Sequence, residues 1–582
     1  MTNHNDVPNP PDPKKTPSGL SPEEAAAWIT RRDPRFTLTQ AVVRGVRYKV
    51  FANAPGNLRE LLQEAAAAYG TSDLLVYRDQ RWDYPAFCNE VNQLACALTW
   101  ELGVQPGDRV ALAMRNYPEM AVLIMAVVSI GAVVVPMNSW WSHDELVFAL
   151  KDCEARVVFA DAPRHGTVRA HASSHNLTLI GVRDAVALPN YQSLRYKASH
   201  GEWPQVPIAP DDDFAVLYSS GSSGRPKGVV LTHRGAISTI HSWLMGKAML
   251  SLINGPDAIP VPAPPSALIV TPLFHVTALH ALFLQGLATG SKMSLMYKWD
   301  PEEALRIINA EKVTRFVGVP TQSAELMEAA RRLGEPLPSL ESIGAGGAKR
   351  PSAQVAQLAD AFPDAMIASG WGMTETNSLG IIVSGPDYLA RPETAGRLTQ
   401  PLQEARIVED QDKAVASGQI GELIVKSPAN MRCYLNLPEA TRSALKEGWL
   451  YTGDLARMDN DGFIYIVDRK KTIIIRGGEN ISCLEVEGAL HHHPDVAEAC
   501  VFPVPDERLG ETVGAAVYLK PGARATEAQL RERVAEHIAG FKVPGRVWFW
   551  PQPLPRGGTD KLNRRALQAE CLALAGIDTD HV

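Results

Sequence analysis

The chain has 582 residues, of which 45% are hydrophobic and 21% are charged, and its formal net charge is −7. It is too long for one simple core, so a globular protein with two or more domains is expected. The acidic balance gives no support to nucleic-acid binding through a basic face. The seven cysteines are scattered and form no C-x-x-C pair, so neither a disulfide framework nor a zinc site is predicted, and a reducing, cytoplasmic location is expected.

The N-terminal segment, residues 1–21, is polar and rich in proline. It has no apolar stretch of the kind a signal peptide needs, so we predict a disordered tail. The longest apolar run extends from Met120 to Val135 and is interrupted by Gly131. It is shorter than the roughly 18–20 residues that a membrane-spanning helix needs, so a buried helix leading into a buried strand is predicted. Peripheral membrane contact and a homodimer are left open.

Helix and strand signals alternate along the chain. Ser142-His-Asp-Glu145 is a capping-box pattern that opens a helix, and the apolar run 156–160 follows it as a strand. Asp300-Pro301 opens another helix ahead of the strand 315–319, and Thr526-Glu-Ala-Gln529 opens a late one. This alternation predicts an α/β fold with a large N-terminal domain of mixed, largely parallel sheets flanked by helices.

The strongest functional signal is the segment Tyr218-Ser-Ser-Gly-Ser-Ser-Gly-Arg-Pro-Lys-Gly228, which follows the apolar strand 214–217. Glycines let successive backbone N–H groups turn inward, serine hydroxyls add donors, and Lys227 adds a mobile positive charge. These groups suit a polyphosphate, although the spacing differs from the Walker A loop. A flexible Ser/Gly linker is the alternative, but a linker would rarely follow a buried strand and end in Pro-Lys-Gly.

Two later segments end in carboxylates. Ala368-Ser-Gly-Trp-Gly-Met-Thr-Glu375 offers Glu375 as a hard ligand for Mg²⁺, with the hydroxyl of Thr374 as a neighbouring donor. Trp449-Leu-Tyr-Thr-Gly-Asp454 ends in an aspartate, whose two acceptor oxygens suit a cis-diol. Taken singly, each segment is also explained by an ordinary strand end or turn.

Together these segments resemble the adenylate-forming (ANL) superfamily, which includes acyl-CoA synthetases, luciferases and the adenylation domains of peptide synthetases. The family forms are (Y)-T-S-G-T-T-G-x-P-K-G, G-Y-G-x-T-E and W-x-x-T-G-D. In the first, serine replaces threonine at three positions of this chain, which keeps every hydroxyl. Recognisable segments extend from about residue 57 to residue 567, and Gly477-Gly-Glu-Asn480 looks like the acyl-CoA synthetase (fatty-acid–CoA ligase) branch.

The resemblance implies an ATP site whose members are spread along the chain. In it, Trp371 and the loop 342–348 lie along the adenine, Asp454 and Arg469 contact the ribose, and Glu375 holds Mg²⁺. The ATP-binding residues implied are Ser219, Ser220, Gly221, Ser222, Ser223, Gly224, Lys227, Gly346, Gly347, Ala348, Trp371, Gly372, Met373, Asp454 and Arg469.

The resemblance also implies four catalytic residues, which are Lys561, Glu375, Thr374 and His275. His275 lies in Thr271-Pro-Leu-Phe-His-Val276, which resembles P-L-F-H, and would sit beside the substrate carboxylate; a satisfied core histidine is the plainer interpretation. Lys561 lies in the segment 555–564, which resembles P-x-x-x-x-G-K-x-x-R, and would stabilise developing negative charge. Asp560 replaces the usual glycine before the lysine, which allows a different loop conformation.

The basic segment Asp468-Arg-Lys-Lys-Thr472 is the predicted domain boundary. It divides an adenylating domain, 22–470, which holds the ATP and acyl sites, from a smaller mobile α+β domain, 471–582. A solvated basic turn is the plainer interpretation and does not exclude a hinge.

By resemblance Lys471 is the hinge about which the C-terminal domain turns after the first reaction. The turn withdraws Lys561 and brings Gly477 and Gly478 to the site. These glycines would let the pantetheine arm of CoA pass close to the backbone.

The predicted function is an ATP-dependent acyl-CoA ligase. A carboxylic acid attacks the α-phosphorus of ATP, pyrophosphate leaves, and CoA takes the acyl group from the acyl-adenylate. Apolar residues after His275 and around 316–320 favour a hydrophobic, fatty acid as substrate. One alternative is an acyl-AMP ligase or luciferase-type oxygenase with another acceptor, such as a carrier protein. The other is a catalytically silent nucleotide-binding scaffold, which would be expected to have lost phosphate-binding or lysine residues that this chain keeps.

Overall fold

A computed structural model describes residues 19–173, 177–183, 189–198, 201–219, 226–255, 265–409, 412–470, 472–476, 479–557 and 561–577. The α-helices are α1 (Pro22–Arg32), α2 (Leu58–Tyr69), α3 (Tyr84–Cys96), α4 (Pro118–Ser129), α5 (His143–Asp152), α6 (Ala162–Ala172), α7 (Tyr191–Lys197), α8 (His233–Asn254), α9 (Val276–Ala278), α10 (Gln285–Thr289), α11 (Pro301–Glu311), α12 (Pro320–Leu333), α13 (Ser352–Ala361), α14 (Gly385–Ala390), α15 (Pro438–Ala444), α16 (Cys483–Leu490), α17 (Glu527–Ala535) and α18 (Arg564–Leu574).

The strands are β1 (Leu38–Val43), β2 (Val46–Phe51), β3 (Asp73–Tyr77), β4 (Gln80–Asp83), β5 (Arg109–Ala113), β6 (Val133–Pro136), β7 (Val157–Asp161), β8 (Thr178–Val182), β9 (Asp213–Ser219), β10 (Lys227–Thr232), β11 (Ser266–Ile269), β12 (Lys292–Leu295), β13 (Arg315–Gly318), β14 (Ser342–Ala345), β15 (Met366–Trp371), β16 (Ile381–Ser384), β17 (Arg397–Leu398), β18 (Glu404–Val408), β19 (Gly421–Lys426), β20 (Cys433–Tyr434), β21 (Leu445–Lys446), β22 (Trp449–Met458), β23 (Ile464–Arg469), β24 (Ile474–Arg476), β25 (Glu479–Ile481), β26 (Val496–Asp506), β27 (Gly510–Leu519) and β28 (Arg546–Trp550).

The N-terminal domain is built on largely parallel sheets. The first sheet has the order β20-β10-β9-β6-β5-β7-β8 and is parallel from β9 to β8. The second has the order β17-β16-β15-β14-β13-β11-β12-β3-β4 and is parallel from β15 to β3. An antiparallel sheet, β18-β19-β22-β21 with β23 on β22, follows them. The predicted α/β class with mixed, largely parallel sheets is confirmed.

The C-terminal domain is smaller and of α+β type, as predicted. Its sheet has the order β25-β24-β27-β26, with β28 parallel to β27. Helices α16 and α18 pack on β26, and the interior holds a separate apolar cluster that includes Ile474, Val501 and Leu530. The predicted boundary between residues 470 and 471 falls between β23 and β24.

The main core lies between the first and second sheets. Helix α4 is buried along its whole length apart from Glu119, and it leads into β6, which is also buried. This is the predicted buried helix and buried strand, and a helix that is apolar all round belongs in such an interior layer. No helix among the residues described above is long and apolar enough to cross a bilayer.

Local capping follows the sequence signals. Ser142 and Glu145 form a complete capping box on α5, Asp300 accepts from the backbone of α11, and Thr526 with Gln529 caps α17. Of the predicted tail, residues 1–18 lie outside the described residues. Residues 19–21 make hydrogen bonds: the N–H of Gly19 donates to Ile253 at 3.2 Å, and Ser21 caps α1.

The carboxyl ends of the parallel strands position the predicted site. Strand β9 ends at Ser219, β14 ends just before Gly346, and β15 ends at Trp371. In open α/β sheets, ligands bind beyond the carboxyl ends of the strands. The motifs therefore lie at the carboxyl ends of strands from two sheets, β9 in the first and β14 and β15 in the second.

Candidate active site

Of the predicted phosphate loop, the structure describes only the residues at its two ends. Ser219 ends β9, Lys227 begins β10, and the two residues lie opposite each other in the antiparallel register. The Tyr218 hydroxyl donates to Asp152 Oδ2 at 2.7 Å, which anchors the strand that enters the loop. The predicted members Ser220, Gly221, Ser222, Ser223 and Gly224 lie outside the described residues.

Glu375 is held by a tyrosine that comes from another part of the chain. Glu375 is 7% exposed and follows β15 in a short 3-10 turn with Thr374. The Tyr434 hydroxyl donates to Glu375 Oε1 at 2.9 Å. Lys227 Nζ lies 5.1 Å from the centre of the Tyr434 ring, so the carboxylate and the ammonium group flank one phenol. Burial and the neighbouring Glu375 carboxylate raise the pKa of Tyr434, which stays a neutral donor.

Asp454 forms the second acidic position of the site. It is 3% exposed, Trp371 Nε1 donates to its Oδ2 at 2.8 Å, and Arg469 Nε donates to its Oδ1 at 3.1 Å. Burial raises the pKa of Asp454, while Arg469 and Trp371 oppose that rise. The three residues predicted around the adenosine thus lie together.

Lys561 reaches from the C-terminal domain to the loop after β14. A Cβ atom placed on Gly347 would lie 3.1 Å from Lys561 Cε and 3.6 Å from its Nζ. Gly347 also has a φ of +81°, which a residue with a side chain rarely adopts. A glycine at 347 therefore leaves space for the lysine.

The other two predicted residues of this loop flank Gly347. The Gly346 N–H donates to Gly318 O at 3.1 Å, and Ala348 is exposed.

Neighbouring groups of both charge signs shift the pKa of Lys561. Burial lowers the pKa of Lys561 to about 8, and Arg469 adds to that shift, whereas Asp454 and Glu375 oppose it. The three side chains that act on this pKa come from separate segments of the N-terminal domain. The lysine, both carboxylates and the arginine therefore occupy one electrostatic site.

His275 lies at the edge of the same site. Its Nδ1 accepts the Thr277 N–H at 3.2 Å at the start of α9 and lies 3.0 Å from Thr277 Oγ1. Burial lowers the pKa of His275 to about 3, and the positive charge of Lys561 adds to the shift. The imidazole is neutral at pH 7, and because Nδ1 accepts, its proton is on Nε2.

Close packing explains the glycine between Trp371 and Met373. A Cβ on Gly372 would lie 2.5 Å from Ser378 O, so any side chain there would clash with the backbone. The Met373 N–H donates to Thr376 Oγ1 at 3.2 Å, which closes the turn that carries Thr374. These predicted residues lie together beside Glu375.

Two contributors were not predicted. Tyr434 belongs to none of the predicted motifs, and nothing in the sequence shows that it reaches Glu375. Asn377 has a φ of +51°, donates to Ala429 O at 2.7 Å, and places Oδ1 3.0 Å from His280 Nε2. It joins the turn of Glu375 to the helical segment after His275. The Thr-Glu-Thr-Asn run offered a weak signal, since asparagine tolerates this backbone conformation.

The hinge region is organised by a buried aspartate. Asp468 Oδ1 accepts from the Arg469 N–H at 2.7 Å and from Thr472 Oγ1 at 2.5 Å. Its Oδ2 accepts from Ser482 Oγ at 2.9 Å and from the Leu484 N–H at 3.2 Å. One carboxylate therefore ties the end of β23 to the start of α16. The predicted hinge Lys471 and the predicted CoA contacts Gly477 and Gly478 lie outside the described residues.

Comparison with known families matches both domains. The family model for the AMP-binding enzymes matches residues 62–435, and the model for the AMP-binding enzyme C-terminal domain matches residues 485–561. The first match alone covers more than half of the chain.

Curated relatives are similar over most of their length. A long-chain-fatty-acid–CoA ligase from Bacillus subtilis is 30% identical over 544 residues, covering 88% of this chain and 94% of the relative. A feruloyl-CoA synthase from an Amycolatopsis species is 33% identical over 482 residues, covering 82% of this chain and 92% of the relative.

A solved structure has the same architecture. The o-succinylbenzoate coenzyme A synthetase of Bacillus subtilis, in complex with ATP and a magnesium ion, has a TM-score of 0.74 and 28% identity, covering 87% of this chain and 98% of that one. With the family matches and the convergence of the nucleotide motifs, the chain belongs to the AMP-binding enzymes of the adenylate-forming superfamily, in their acyl-CoA synthetase branch of acid–thiol ligases.

Proposed function

We propose that the protein is an ATP-dependent acyl-CoA ligase. It converts a hydrophobic, fatty carboxylic acid into an acyl-adenylate and transfers the acyl group to CoA, releasing AMP and pyrophosphate. The observation that carries the proposal is the position of Lys561 against Gly347, in one electrostatic site with Asp454 and Glu375. This is the arrangement that the first reaction needs.

The first reaction brings two anions together. The carboxylate of the acid attacks the α-phosphorus of ATP, and the bond to pyrophosphate breaks. Lys561 donates to the oxygens on which negative charge builds up, and Lys227 neutralises the phosphate chain. Asp454 accepts from the ribose hydroxyls while Trp371 and Arg469 hold that carboxylate in place. Positioning and electrostatic stabilisation therefore account for the catalysis.

Glu375 fits the ligand chemistry of Mg²⁺. Its carboxylate is a hard oxygen ligand, and the Tyr434 hydroxyl donates to one of its two oxygens, Oε1. Mg²⁺ takes most of its ligands from water and substrate phosphates, so a single protein carboxylate is enough to help hold it. When bound, the ion supplies positive charge to the phosphates.

His275 and the apolar residues behind it are suited to the acid. The neutral imidazole presents Nε2–H as a donor for the substrate carboxylate. Val276, Leu279 and Val319 are all buried and lie in the segments expected to line the acyl pocket. An apolar wall favours a hydrophobic acyl group over one with a second charge.

The second reaction requires the acyl-adenylate to meet CoA. We propose that the C-terminal domain, 471–582, turns about Lys471, withdraws Lys561 and brings Gly477 and Gly478 to the adenylating domain, 22–470. The CoA thiol then attacks the acyl carbonyl, and AMP leaves. We also propose a reducing, cytoplasmic location, as the scattered spacing of the cysteines predicts.

The deciding experiment measures pyrophosphate release with fatty, aryl and alicyclic acids, each with and without CoA. We expect acid-dependent release, the fastest turnover with fatty acids, and CoA thioester as product. Pyrophosphate without CoA thioester, together with acylation of a carrier protein, would support the acyl-AMP ligase instead. No acid-dependent release with any acid would leave only the silent scaffold.

A further inference from the structure

Lys561 lies on one of two short segments, 555–557 and 561–563, whose backbones pair with each other; we call this pair of segments the lysine hairpin. The Gly557 N–H donates to Lys561 O at 2.7 Å, and the Asn563 N–H donates to Pro555 O at 2.9 Å. Arg556 pairs with Leu562 in an isolated β-bridge inside this hairpin. The backbone position of Lys561 is therefore tied to that of Arg556.

Arg556 extends from the hairpin in two directions. Its Nη1 donates to Thr321 Oγ1 at 3.2 Å, and Thr321 is the second residue of α12 in the N-terminal domain. Its Nη2 forms an ion pair with Glu498 Oε1, and the two side chains are 17% and 14% exposed. Glu498 Oε2 accepts the Leu554 N–H at 2.7 Å, so the ion pair is also tied to the backbone just before the hairpin. The guanidinium is thus held by an ion pair within its own domain and contacts the other domain.

We propose that Arg556 is a positioning residue that docks the lysine hairpin on α12 during adenylation. The inference rests on the proposed function, because it assigns Arg556 to the first of two half-reactions. Arginine holds its planar donors in a fixed fork, so the contact restrains both distance and direction. Thr321 follows directly on the segment 316–320, so the restraint acts beside the acyl pocket that Lys561 must serve.

The contact is specific to one domain arrangement. When the C-terminal domain turns away, Arg556 leaves Thr321 together with Lys561, while the Glu498 ion pair stays within the domain. Adenylation therefore depends on the interdomain hydrogen bond, and thioester formation does not. A residue that only stabilised the fold would affect both half-reactions.

The test removes the acceptor from the N-terminal side. Thr321→Val keeps the shape of the side chain but replaces its hydroxyl with a methyl group. Thr321→Ser keeps the hydroxyl and removes the methyl group instead. We expect Thr321→Val to slow acid-dependent pyrophosphate exchange about tenfold, as for loss of a hydrogen bond from a charged donor. Single-turnover reaction of purified acyl-adenylate with CoA should stay within about twofold of wild type. Thr321→Ser should recover most of the exchange rate.

Arg531→Gln is the matched control, because Arg531 is a half-exposed arginine of the same domain whose partner Glu527 is 4.0 Å away on its own helix. It should leave both half-reactions unchanged. In an Arg556→Gln background, Thr321→Val should cause no further loss of exchange. Equal loss in both half-reactions, an unchanged exchange rate in Thr321→Val, or full additivity with Arg556→Gln would overturn the proposal. Failure of the proposed function is separate, since the wild type would then show no acid-dependent exchange.

Discussion

The charge of Lys561 gives the sharpest prediction about pH. Burial lowers its pKa to about 8, so about 90% of the lysine is charged at pH 7 and about 10% at pH 9. If the ammonium form is the one that stabilises the transition state, kcat/KM for adenylation falls about tenfold between pH 7 and pH 9. By pH 10 the loss grows to about ninetyfold.

Neighbouring groups do not produce the same change. His275 has a pKa lowered to about 3 by burial and is neutral across this range. The pKa of Tyr434 is raised by burial and by Glu375, so the phenol also stays neutral as the pH rises. These two groups therefore add nothing to the alkaline loss, which we assign to Lys561 as the prediction to be tested.

The assay is initial-rate pyrophosphate exchange at low substrate concentration, since kcat/KM reports the pKa of the free enzyme. Lys561→Arg is the informative variant, because a guanidinium stays charged throughout the range. Its activity should be lower at pH 7, since the shape of the cation differs, but it should lose the alkaline decline. A wild-type profile that is flat to pH 10, or a decline that persists in Lys561→Arg, would refute the assignment.

Three further substitutions test the contacts around the site. Asp454→Asn should raise the KM for ATP about tenfold through loss of a charged acceptor for the ribose, and an unchanged KM would remove Asp454 from that role. Tyr434→Phe deletes the hydroxyl bound to Glu375 and should raise the Mg²⁺ concentration needed for half-maximal exchange several-fold; an identical Mg²⁺ titration would contradict this. Asp468→Asn replaces a buried acceptor of four hydrogen bonds and should lower the free energy of unfolding by about 2 kcal/mol in a urea titration, whereas exposed Asp461→Asn should change it little.

The segments that we propose to bind the nucleotide could be identified in the sequence because each has a local physical requirement. Glycine is needed where φ is positive or the backbone packs closely, as at Gly347 and Gly372. Capping residues such as Ser142 mark helix starts, and the all-apolar run from Met120 marks an interior helix. These requirements act over a few residues, so they can be identified without knowing the fold.

Pairings between distant side chains could not be predicted in this way. Tyr434 and Glu375 are 59 residues apart, Trp371 and Asp454 are 83 apart, and Arg556 lies 235 residues from Thr321. Which of these side chains meet depends on the order and register of the sheets and on how the C-terminal domain docks.

Short-range patterns in the sequence are enough to identify the fold class, the family and the residue types proposed to handle ATP. Three contacts become visible only in the folded chain: a tyrosine binds the glutamate, Gly347 makes room for the lysine, and Arg556 contacts both domains. Local patterns do not reveal them, because hydrogen bonds and ion pairs act over a few ångströms in space, whatever the distance along the chain.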